Sequence, residues 1–345
     1  MIYGILTGGG DCPGLNAVIR AVAKKLLGQK GVQLLGIADG FEGLVRDETR
    51  RLGLDDVSGL LIRGGTILGT SNRGDPVGQA AKMRATYRRR KLQGIVAIGG
   101  DGTMKIAHQL SAHDLRFVGV PKTIDNDVEA TDVTFGFDTA VSVVSGALDA
   151  LHTTADAHRR IMVVEVMGRN AGWIALYGGV AGGADVILIP EIPFDLATVG
   201  EYVRERHRRR RFTIVVVAEG AKPVGGNVVV QRIVQDAPEP VRLGGIGSLV
   251  ARELERLTGF ESRVTVLGHL QRGGTPTPAD RILATRFGSA AAELVRRDLW
   301  GRMVSLRAGA MDSVPIADVA GRRRCVPSDH ELIAAARAIG TTFGD

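Results

Sequence analysis

The sequence predicts an α/β protein of two domains, each with a mainly parallel sheet flanked by helices. Short β-branched runs alternate with amphipathic segments along the chain, which is the pattern of parallel strands joined by right-handed helical crossovers. Most of these runs are continuously apolar, as in strands that are covered on both faces. The length of 345 residues exceeds what one ordinary core holds, so two domains are expected.

The elements follow from this alternation. The expected strands are Ile2–Leu6, Gln33–Ala38, Gly94–Ile98, Phe117–Val120, Arg160–Val166, Val186–Ile189, Thr213–Ala218 and Arg263–Leu267. The expected helices are Leu15–Leu27, Gln79–Arg90, Thr103–Leu110, Thr139–Thr153, Gly172–Ala181, Leu196–Arg209, Ile246–Leu257 and Ala279–Val295. A domain boundary is expected near residue 138, where a cluster of glycine-rich and acidic turns ends and a new series of strands and helices begins.

Composition narrows the class of protein. Hydrophobic residues make up 44% of the chain and charged residues 23%, which is typical of a globular protein. No stretch reaches the ~18 apolar residues of a membrane span, and the opening MIYGILTGGG is typical of a strand and turn rather than of a secretory signal. Two cysteines, Cys12 and Cys325, make no disulfide framework. We therefore expect a cytoplasmic protein without a membrane partner.

The formal net charge of +7 is concentrated in the runs Arg88–Lys91, Arg208–Arg211 and Arg322–Arg324. We interpret these runs as solvated faces, with binding of anionic ligands or effectors as the alternative. Nucleic acid is not an expected partner, because no aromatic residues are interleaved with the basic ones and no binding module is recognisable.

Two glycine-rich turns that follow predicted strands suit phosphate. Ligands in open α/β sheets bind beyond the carboxyl ends of the strands. The turn GGGDCPG at 8–14 precedes a helix, so its amides could hold phosphate, although a structural turn is the alternative. In the turn GGDGT at 99–103, the glycines allow close backbone approach to a polyphosphate, and Asp101 is a hard oxygen ligand suited to Mg²⁺. Thr103 could instead cap the following helix.

Three further turns carry acid, base or phosphate-binding side chains. Asp125 and Asp127 lie two positions apart, and an Asp can accept the proton of an attacking hydroxyl; the alternative is an Asx-turn loop. Arg169 at a strand end could neutralise a transferring phosphoryl group or form a structural salt bridge. His269 and Arg272, flanked by glycines, suit a sugar phosphate or a structural role.

Taken together, these motifs resemble the phosphofructokinase family. GGGDCPGLNAVIR, RGGTILGTS, GGDGT, PKTIDND, VVEVMGRNAG and VLGHLQRGGTP occur in the family's order over about residues 1–300. GGDGT alone is shared with NAD kinases and lipid kinases, whereas TIDND with MGR and GHLQRGG is specific. Another GGDGT kinase, such as one acting on NAD, is disfavoured because it does not explain TIDND, MGR and GHLQRGG. A catalytically silent sugar-phosphate sensor of the same fold is disfavoured because Asp101, Asp125 and Arg169 are all present.

The resemblance implies two Rossmann-like lobes with the active site in the cleft between them. Residues 1–138 would form the phosphate-donor lobe, completed by 251–305, and residues 139–250 the sugar-phosphate lobe, completed by 306–345. It also implies Mg²⁺-dependent transfer to the 1-hydroxyl of fructose 6-phosphate, which yields fructose 1,6-bisphosphate in glycolysis. A homo-oligomer, tetramer or dimer, with sites shared between subunits, is implied as well.

The resemblance also assigns roles to residues. Asp125 would be the base, Asp127 would organise the metal and the transferring phosphate, and Arg169 would stabilise the transition state. Binding of the phosphoryl donor and its Mg²⁺ is assigned, with Asp101 as the metal ligand, to Gly10, Arg73 (or Asn72), Gly100, Asp101, Gly102, Thr103 and Lys122. Binding of the sugar phosphate is assigned to Thr123, Arg160, Met167, Gly168, Glu219, Arg263, His269 and Arg272. Of these, Arg160 and Arg263 would reach the site of a neighbouring subunit.

Two positions indicate the phosphoryl donor, because similar enzymes have different residues there depending on the donor that they use. ATP-using members usually have Gly at both, and pyrophosphate-using members usually have Asp and Lys, whereas this chain combines Gly102 with Lys122. An Asp at the first position would oppose a nucleotide's α-phosphate by bulk and charge, so Gly102 favours ATP. Pyrophosphate remains the alternative donor. Ile106 stands where many ATP-using bacterial members have Gly.

Allosteric control and acceptor breadth stay open. Arg20 and Lys24 match part of the basic effector site found in bacterial members, but Asp56 and His152 stand near positions that often hold Arg. Control by ADP or phosphoenolpyruvate is therefore not expected. Sedoheptulose 7-phosphate is a further acceptor to consider.

Overall fold

The computed structural model describes residues 1–71, 74–233 and 241–345. Its strands are β1 Ile2–Thr7, β2 Gln33–Ile37, β3 Thr49–Leu52, β4 Leu92–Gly99, β5 Phe117–Pro121, β6 Ile161–Val166, β7 Val186–Leu188, β8 Thr213–Ala218, β9 Val230–Ile233, β10 Val241–Leu243, β11 Ser262–Val266, β12 Arg302–Arg307 and β13 Ala310–Pro315. Its α-helices are α1 Leu15–Leu27, α2 Phe41–Arg46, α3 Ala80–Arg89, α4 Asp101–Ser111, α5 Phe137–His158, α6 Trp173–Ala181, α7 Leu196–His207, α8 Ile246–Thr258, α9 Pro278–Arg296, α10 Ile316–Val319 and α11 Glu331–Ala338.

The first compact unit comprises Met1–Thr139 and Arg272–Arg324. Its sheet has the order β13-β12-β5-β4-β1-β2-β3, in which the central strands β12, β5, β4, β1 and β2 run parallel. The edge strands β3 and β13 pair antiparallel to their neighbours. Because β1, β4 and β5 are parallel neighbours, the turns that follow them lie along one edge of the sheet.

Two helices that cover this sheet approach each other closely. A Cβ on Gly288 of α9 would lie 2.7 Å from the Cβ of Ala21 and 2.8 Å from the carbonyl oxygen of Val18, both in α1. Only glycine therefore lets these two backbones pack at this distance.

The second compact unit comprises residues 140–233, 241–271 and 325–345. Its sheet has the order β11-β6-β8-β7, with all three strand pairs parallel. Strands β6 and β8 are buried along their whole length. Apolar residues of α7 and α8, including Val199, Val203, Val250 and Leu254, pack with those strands in one core.

The predicted α/β architecture with mainly parallel sheets is confirmed, and each expected strand and helix is present within a few residues. The sequence does not predict β3, β12 or β13, because these segments mix polar and apolar residues instead of forming continuous apolar runs. The hairpin of β12 and β13 turns through Ala308 and Gly309, both with positive φ of 48° and 77°, as a type I′ turn requires.

The late segments of the chain are divided between the two units differently from the expectation. The unit boundary falls between Thr139 and Ala140, but residues 251–271, expected to complete the first lobe, belong to the second unit. The reason is that β11 pairs with β6 over its full length. Conversely, residues 306–324 belong to the first unit, because β12 pairs with β5 and carries β13 with it. No helix in the described ranges is long and apolar enough to cross a membrane.

Candidate active site

The first feature of the first unit's sheet edge is the glycine-rich loop between β1 and α1. The Gly8 amide donates to the carbonyl oxygen of Ile98 at 2.9 Å, which ties the loop to the end of β4. Gly14 has a φ of +105°, and a Cβ there would lie 2.7 Å from the Phe135 ring. A glycine is therefore needed at Gly14 both for its backbone conformation and for space. The loop is thereby fixed at the edge where β1 and β4 end.

Two cationic side chains hold this loop. The ammonium of Lys122, at the end of β5, donates to the carbonyl oxygen of Gly10. Arg272 donates from Nη1 to the carbonyl oxygen of Asp11 at 3.1 Å. A Cβ on Gly10 would lie 2.6 Å from that same Nη1, so the guanidinium packs directly against the glycine. Burial lowers the pKa of Lys122, and the neighbouring Arg272 adds to the effect.

The GGDGT turn joins β4 to α4 at the next position along the edge. Helix α4 begins at Asp101, so its first amides point out of the helix end, where anions bind favourably. Asp101 Oδ1 accepts the Gly102 amide at 2.7 Å. Thr103 is not the helix cap: it lies in the first turn, is buried, and packs where Gly8 and Gly99 have no side chains.

The acid-bearing loop follows β5. The Asp125 amide donates to Thr123 Oγ1 at 3.0 Å. Asn126 has a left-handed φ of 55°, and its Oδ1 accepts the Thr134 amide at 3.0 Å. These contacts fix the turn between the two predicted acids, Asp125 and Asp127.

In the second unit, the turn after β6 carries three of the predicted residues. The Met167 amide donates to Gln271 Oε1 at 3.3 Å. Gly168 has a φ of +131°, and Arg169 has a φ of +52° with its amide 3.1 Å from Glu219 Oε1. Glu219 follows β8, which pairs with β6, so both lie at one edge of that sheet. The structure thus brings Met167, Gly168, Arg169 and Glu219 together.

The other predicted residues of the second unit lie at separate places. Arg160 Nε donates to Glu261 Oε2 at 2.6 Å, and Arg263 pairs with the same carboxylate, so these two arginines share one partner. His269 is exposed in the 3₁₀ helix Gly268–Arg272. Arg73, together with Asn72, lies outside the described residues.

Comparison with known proteins places this geometry in a family. A sequence model described as Phosphofructokinase matches residues 2–295. The chain belongs to the phosphofructokinase family. The resemblance carried by TIDND, MGR and GHLQRGG is therefore confirmed.

Its relatives carry two kinds of name. The chain is 48% identical to the ATP-dependent 6-phosphofructokinase of Spirochaeta thermophila, over 99% of this chain and 97% of that protein. It is 51% identical to the pyrophosphate–fructose 6-phosphate 1-phosphotransferase of Amycolatopsis methanolica, over 96% of this chain and 97% of that protein. The solved phosphofructokinase of Saccharomyces cerevisiae is 30% identical, with a TM-score of 0.80 over 92% of this chain and 45% of the yeast chain. This chain therefore spans less than half of the yeast chain.

The phosphofructokinase family implies Mg²⁺, and the acids of the first unit fit that ion. Burial raises the pKa of Asp127 to about 7, and the negative charges of Asp125 and Asp101 add to the rise. Asp125 and Asp101 therefore each lie within electrostatic range of Asp127, and a divalent cation would relieve their repulsion with it. In the described ranges no three His, Cys, Asp or Glu side chains form a complete metal cage. Mg²⁺ sites in proteins commonly use one or two carboxylates and take other ligands from phosphate and water.

Sequence reasoning missed two residues at this edge. Arg323 Nε lies 3.2 Å from Asp101 Oδ2, and the Arg324 amide donates to the carbonyl oxygen of Asp127 at 2.9 Å. Arg322 and Arg323 are solvent-exposed, as the interpretation of this run as a solvated face expects, but Arg323 also pairs with Asp101, and Arg324 is half-buried against the loop that carries Asp127. The only signal was the charge run itself, and its partners lie about 200 positions away in the chain.

Proposed function

We propose that this protein transfers the γ-phosphoryl group of ATP to the 1-hydroxyl of fructose 6-phosphate, which yields fructose 1,6-bisphosphate. One observation carries the proposal most directly. Loops with three carboxylates, glycine-lined amides and a buried lysine meet at a single sheet edge of the first unit. Phosphoryl transfer needs positioning and charge neutralisation more than covalent chemistry, and these groups are suited to both.

Asp125 is the proposed base. Its loop is fixed by the hydrogen bond from the Asp125 amide to Thr123 Oγ1 and by the left-handed turn at Asn126. In this role its carboxylate takes the proton of the attacking 1-hydroxyl as the new oxygen–phosphorus bond forms, while the bond from the γ-phosphorus to the bridging oxygen breaks and ADP leaves. Asp127 is proposed to organise the metal and the transferring phosphate. Lys122 fixes the Gly10 loop, which is proposed to face the donor phosphates. A bound Mg²⁺, held by Asp101 and the donor's phosphates, would neutralise charge on the transferring group.

ATP is favoured as donor by the surroundings of Gly102. A Cβ at Gly102 would meet no protein atom within 4 Å, so the fold itself does not require glycine there. The residue also has no left-handed φ. The absence of a side chain is then best explained by a ligand, because a nucleotide's α-phosphate needs space free of bulk and negative charge.

Pyrophosphate is the second candidate donor. Lys122 is the residue expected of pyrophosphate users, and the relative from Amycolatopsis methanolica carries a pyrophosphate name. A buried ammonium that binds a loop carbonyl serves either donor. Gly102 therefore separates the candidates and Lys122 does not.

The resemblance assigns further residues to the transferring group and to the sugar phosphate. Arg169, beside Glu219, is proposed to stabilise charge on the transferring phosphoryl group, as a guanidinium does in many phosphotransferases. Thr123, Met167, Gly168, His269 and Arg272 are proposed to contact the acceptor. Arg160 and Arg263, which share Glu261 in this chain, are proposed to reach the site of a neighbouring subunit in a dimer or tetramer.

The proposed reaction is tested by replacing the base. Asp125→Ser is expected to lower kcat about 100- to 10,000-fold, the range typical of general-base catalysis, with little change in the KM of fructose 6-phosphate. An aldolase-coupled assay of fructose 1,6-bisphosphate measures the rate. Asp132→Ser, an exposed acid of the same loop, is the matched control. An Asp125→Ser enzyme with the wild-type rate would remove Asp125 from this role.

A further inference from the structure

Arg323 and Arg324 contact two loops of the first unit, the turn that carries Asp101 and the loop that carries Asp127. Arg323 Nε donates to Asp101 Oδ2 at 3.2 Å. The Arg323 backbone forms an antiparallel bridge with Val128. The Arg324 amide donates to the carbonyl oxygen of Asp127 at 2.9 Å. One short segment therefore joins the turn that carries Asp101 to the loop that carries Asp127.

The two arginines do different things. Arg324 Nη1 donates to the carbonyl oxygens of Thr131 and Asp132, at 2.9 and 2.5 Å, so its guanidinium is part of the loop's structure. Arg323 places its guanidinium on a carboxylate instead. That carboxylate belongs to the residue proposed as the Mg²⁺ ligand.

The Arg323–Asp101 pair is accessible enough to exchange partners. Its side chains are 34% and 27% exposed, so solvent and ions reach both. The positive charge of Arg323 also opposes the rise in the pKa of Asp127 caused by the surrounding carboxylates. In the structure Arg323 thus acts as a counter-charge to the same acids that a divalent cation would neutralise.

A free divalent cation and a metal–polyphosphate complex meet this guanidinium differently. The free cation must displace Arg323 from Asp101 and stay beside its positive charge. A complex with a polyphosphate brings phosphate oxygens, which are good partners for a guanidinium released from a carboxylate.

We propose that Arg323 is a specificity-determining residue of the donor site: it keeps a free divalent cation off Asp101 and admits the cation together with a polyphosphate. The proposal rests on the proposed function for the donor, but its metal step concerns Asp101 and Arg323 alone. The proposal predicts two effects of opposite sign: loss of Arg323 strengthens binding of the free cation and weakens binding of the metal–polyphosphate complex. A purely structural role of Arg323 would not produce this pattern.

The metal step is tested with Mn²⁺ alone, titrated without nucleotide and followed by electron paramagnetic resonance. Arg323→Ala is expected to lower the Kd of Mn²⁺ about fivefold, the effect of removing one partly exposed ion pair. Arg322→Ala, an exposed neighbour of equal charge, is expected to stay within about twofold of wild type. An Arg323→Ala protein that binds Mn²⁺ as weakly as wild type, or more weakly, would overturn the proposal.

The donor step is tested by steady-state kinetics. Arg323→Ala is expected to raise the KM of the magnesium–nucleotide complex about fivefold while the KM of fructose 6-phosphate stays within about twofold. Equal effects on both substrates would overturn the proposal. Arg323→Gln keeps a donor for Asp101 without the charge, so it gives both answers even if the alanine variant does not fold. A chain without fructose 6-phosphate kinase activity would end the proposed function, and the Mn²⁺ titration would still decide the role of Arg323.

Discussion

The ammonium of Lys122 donates a hydrogen bond to the carbonyl oxygen of Gly10, although 112 positions separate the two residues. Lys122 directly follows β5 and is only 3% exposed, whereas Gly10 lies in the loop that follows β1. The contact therefore joins two turns that lie on either side of β4 in the sheet. This buried cation therefore helps to fix the position of the glycine-rich loop, together with Arg272 and the Gly8 amide.

Replacing Lys122 by Met is expected to weaken donor binding. Methionine keeps most of the side-chain volume but cannot donate to Gly10, and a hydrogen bond from a charged group contributes about 1.5–3 kcal/mol. We expect kcat/KM for the donor to fall about 10- to 100-fold. Steady-state kinetics at varied donor concentration measure this. Lys82→Met, on the exposed face of α3, is the control, and an unchanged donor kcat/KM in Lys122→Met would contradict the expectation.

Replacing Gly102 by Asp is expected to abolish use of ATP without disturbing the fold. Because a Cβ there meets no protein atom within 4 Å, the free energy of unfolding should change by no more than about 0.5 kcal/mol. A carboxylate facing a phosphate costs several kcal/mol, so kcat/KM for ATP should fall at least about 100-fold. Gly102→Ala separates bulk from charge and is expected to lose less. An Asp variant that keeps ATP activity would show that Gly102 does not select the donor.

Replacing Asp127 by Asn is expected to stabilise the metal-free protein at high pH. The folded-state pKa of about 7 lies above the ordinary value of 3.8, so folding favours the protonated acid. Stability present below about pH 4 is therefore lost as pH rises towards 7, because the unfolded chain then releases the proton more readily. The neutral Asn avoids this loss, and we expect a gain of about 2 kcal/mol at pH 8, less than the full shift because solvent reaches the side chain.

Urea unfolding in a metal chelator, at pH 5 and at pH 8, measures the difference between Asp127→Asn and wild type. The gain should be larger at pH 8 than at pH 5, because at pH 5 only part of the interval between 3.8 and about 7 has been crossed. A gain of equal size at both values would show that it does not come from ionisation of Asp127. The variant is also expected to lose catalytic activity, since destabilising charge at functional sites is commonly retained for function.

Replacing Arg169 by Ala is expected to act on the chemical step. A positioned charge on the transferring group typically accounts for about 100- to 1,000-fold in kcat, and Arg169→Ala should lose this amount. Guanidinium added to the assay should restore part of the rate. Arg159→Ala is a well-matched control, because Arg159 is exposed and shares a left-handed φ, 56° against 52° at Arg169. A loss confined to the KM of fructose 6-phosphate would mean that Arg169 only binds substrate.

The local rules that shape single elements could be read from the sequence. Helix α1 begins and ends at the predicted Leu15 and Leu27, because glycines flank it on both sides. The turns with Asp101 and Asp125 fall at strand ends, because each follows a continuously apolar run. Topology then brings these turns together, and parallel pairing of their strands could be predicted.

Contacts between distant side chains could not be read in this way. The amide of Asn16 donates to the carbonyl oxygens of Arg63 and Gly64, both at 3.1 Å, and so fixes a loop far along the chain. The Arg323–Asp101 pair spans 222 positions. Neither has a periodic or motif signal, since each depends on where complete elements pack. The placement of residues 251–271 was missed for the same reason, because the pairing of β11 with β6 is a choice of partner strand.

The donor comparison tests the central claim most directly. Pure protein, fructose 6-phosphate and Mg²⁺ are supplied with either ATP or pyrophosphate, and fructose 1,6-bisphosphate is measured as it forms. We expect rapid formation with ATP and a kcat/KM for pyrophosphate at least about 100-fold lower, because Gly102 leaves the nucleotide unopposed. Product formed from pyrophosphate but not from ATP would contradict the ATP assignment, and no product from either donor would contradict the proposed reaction itself.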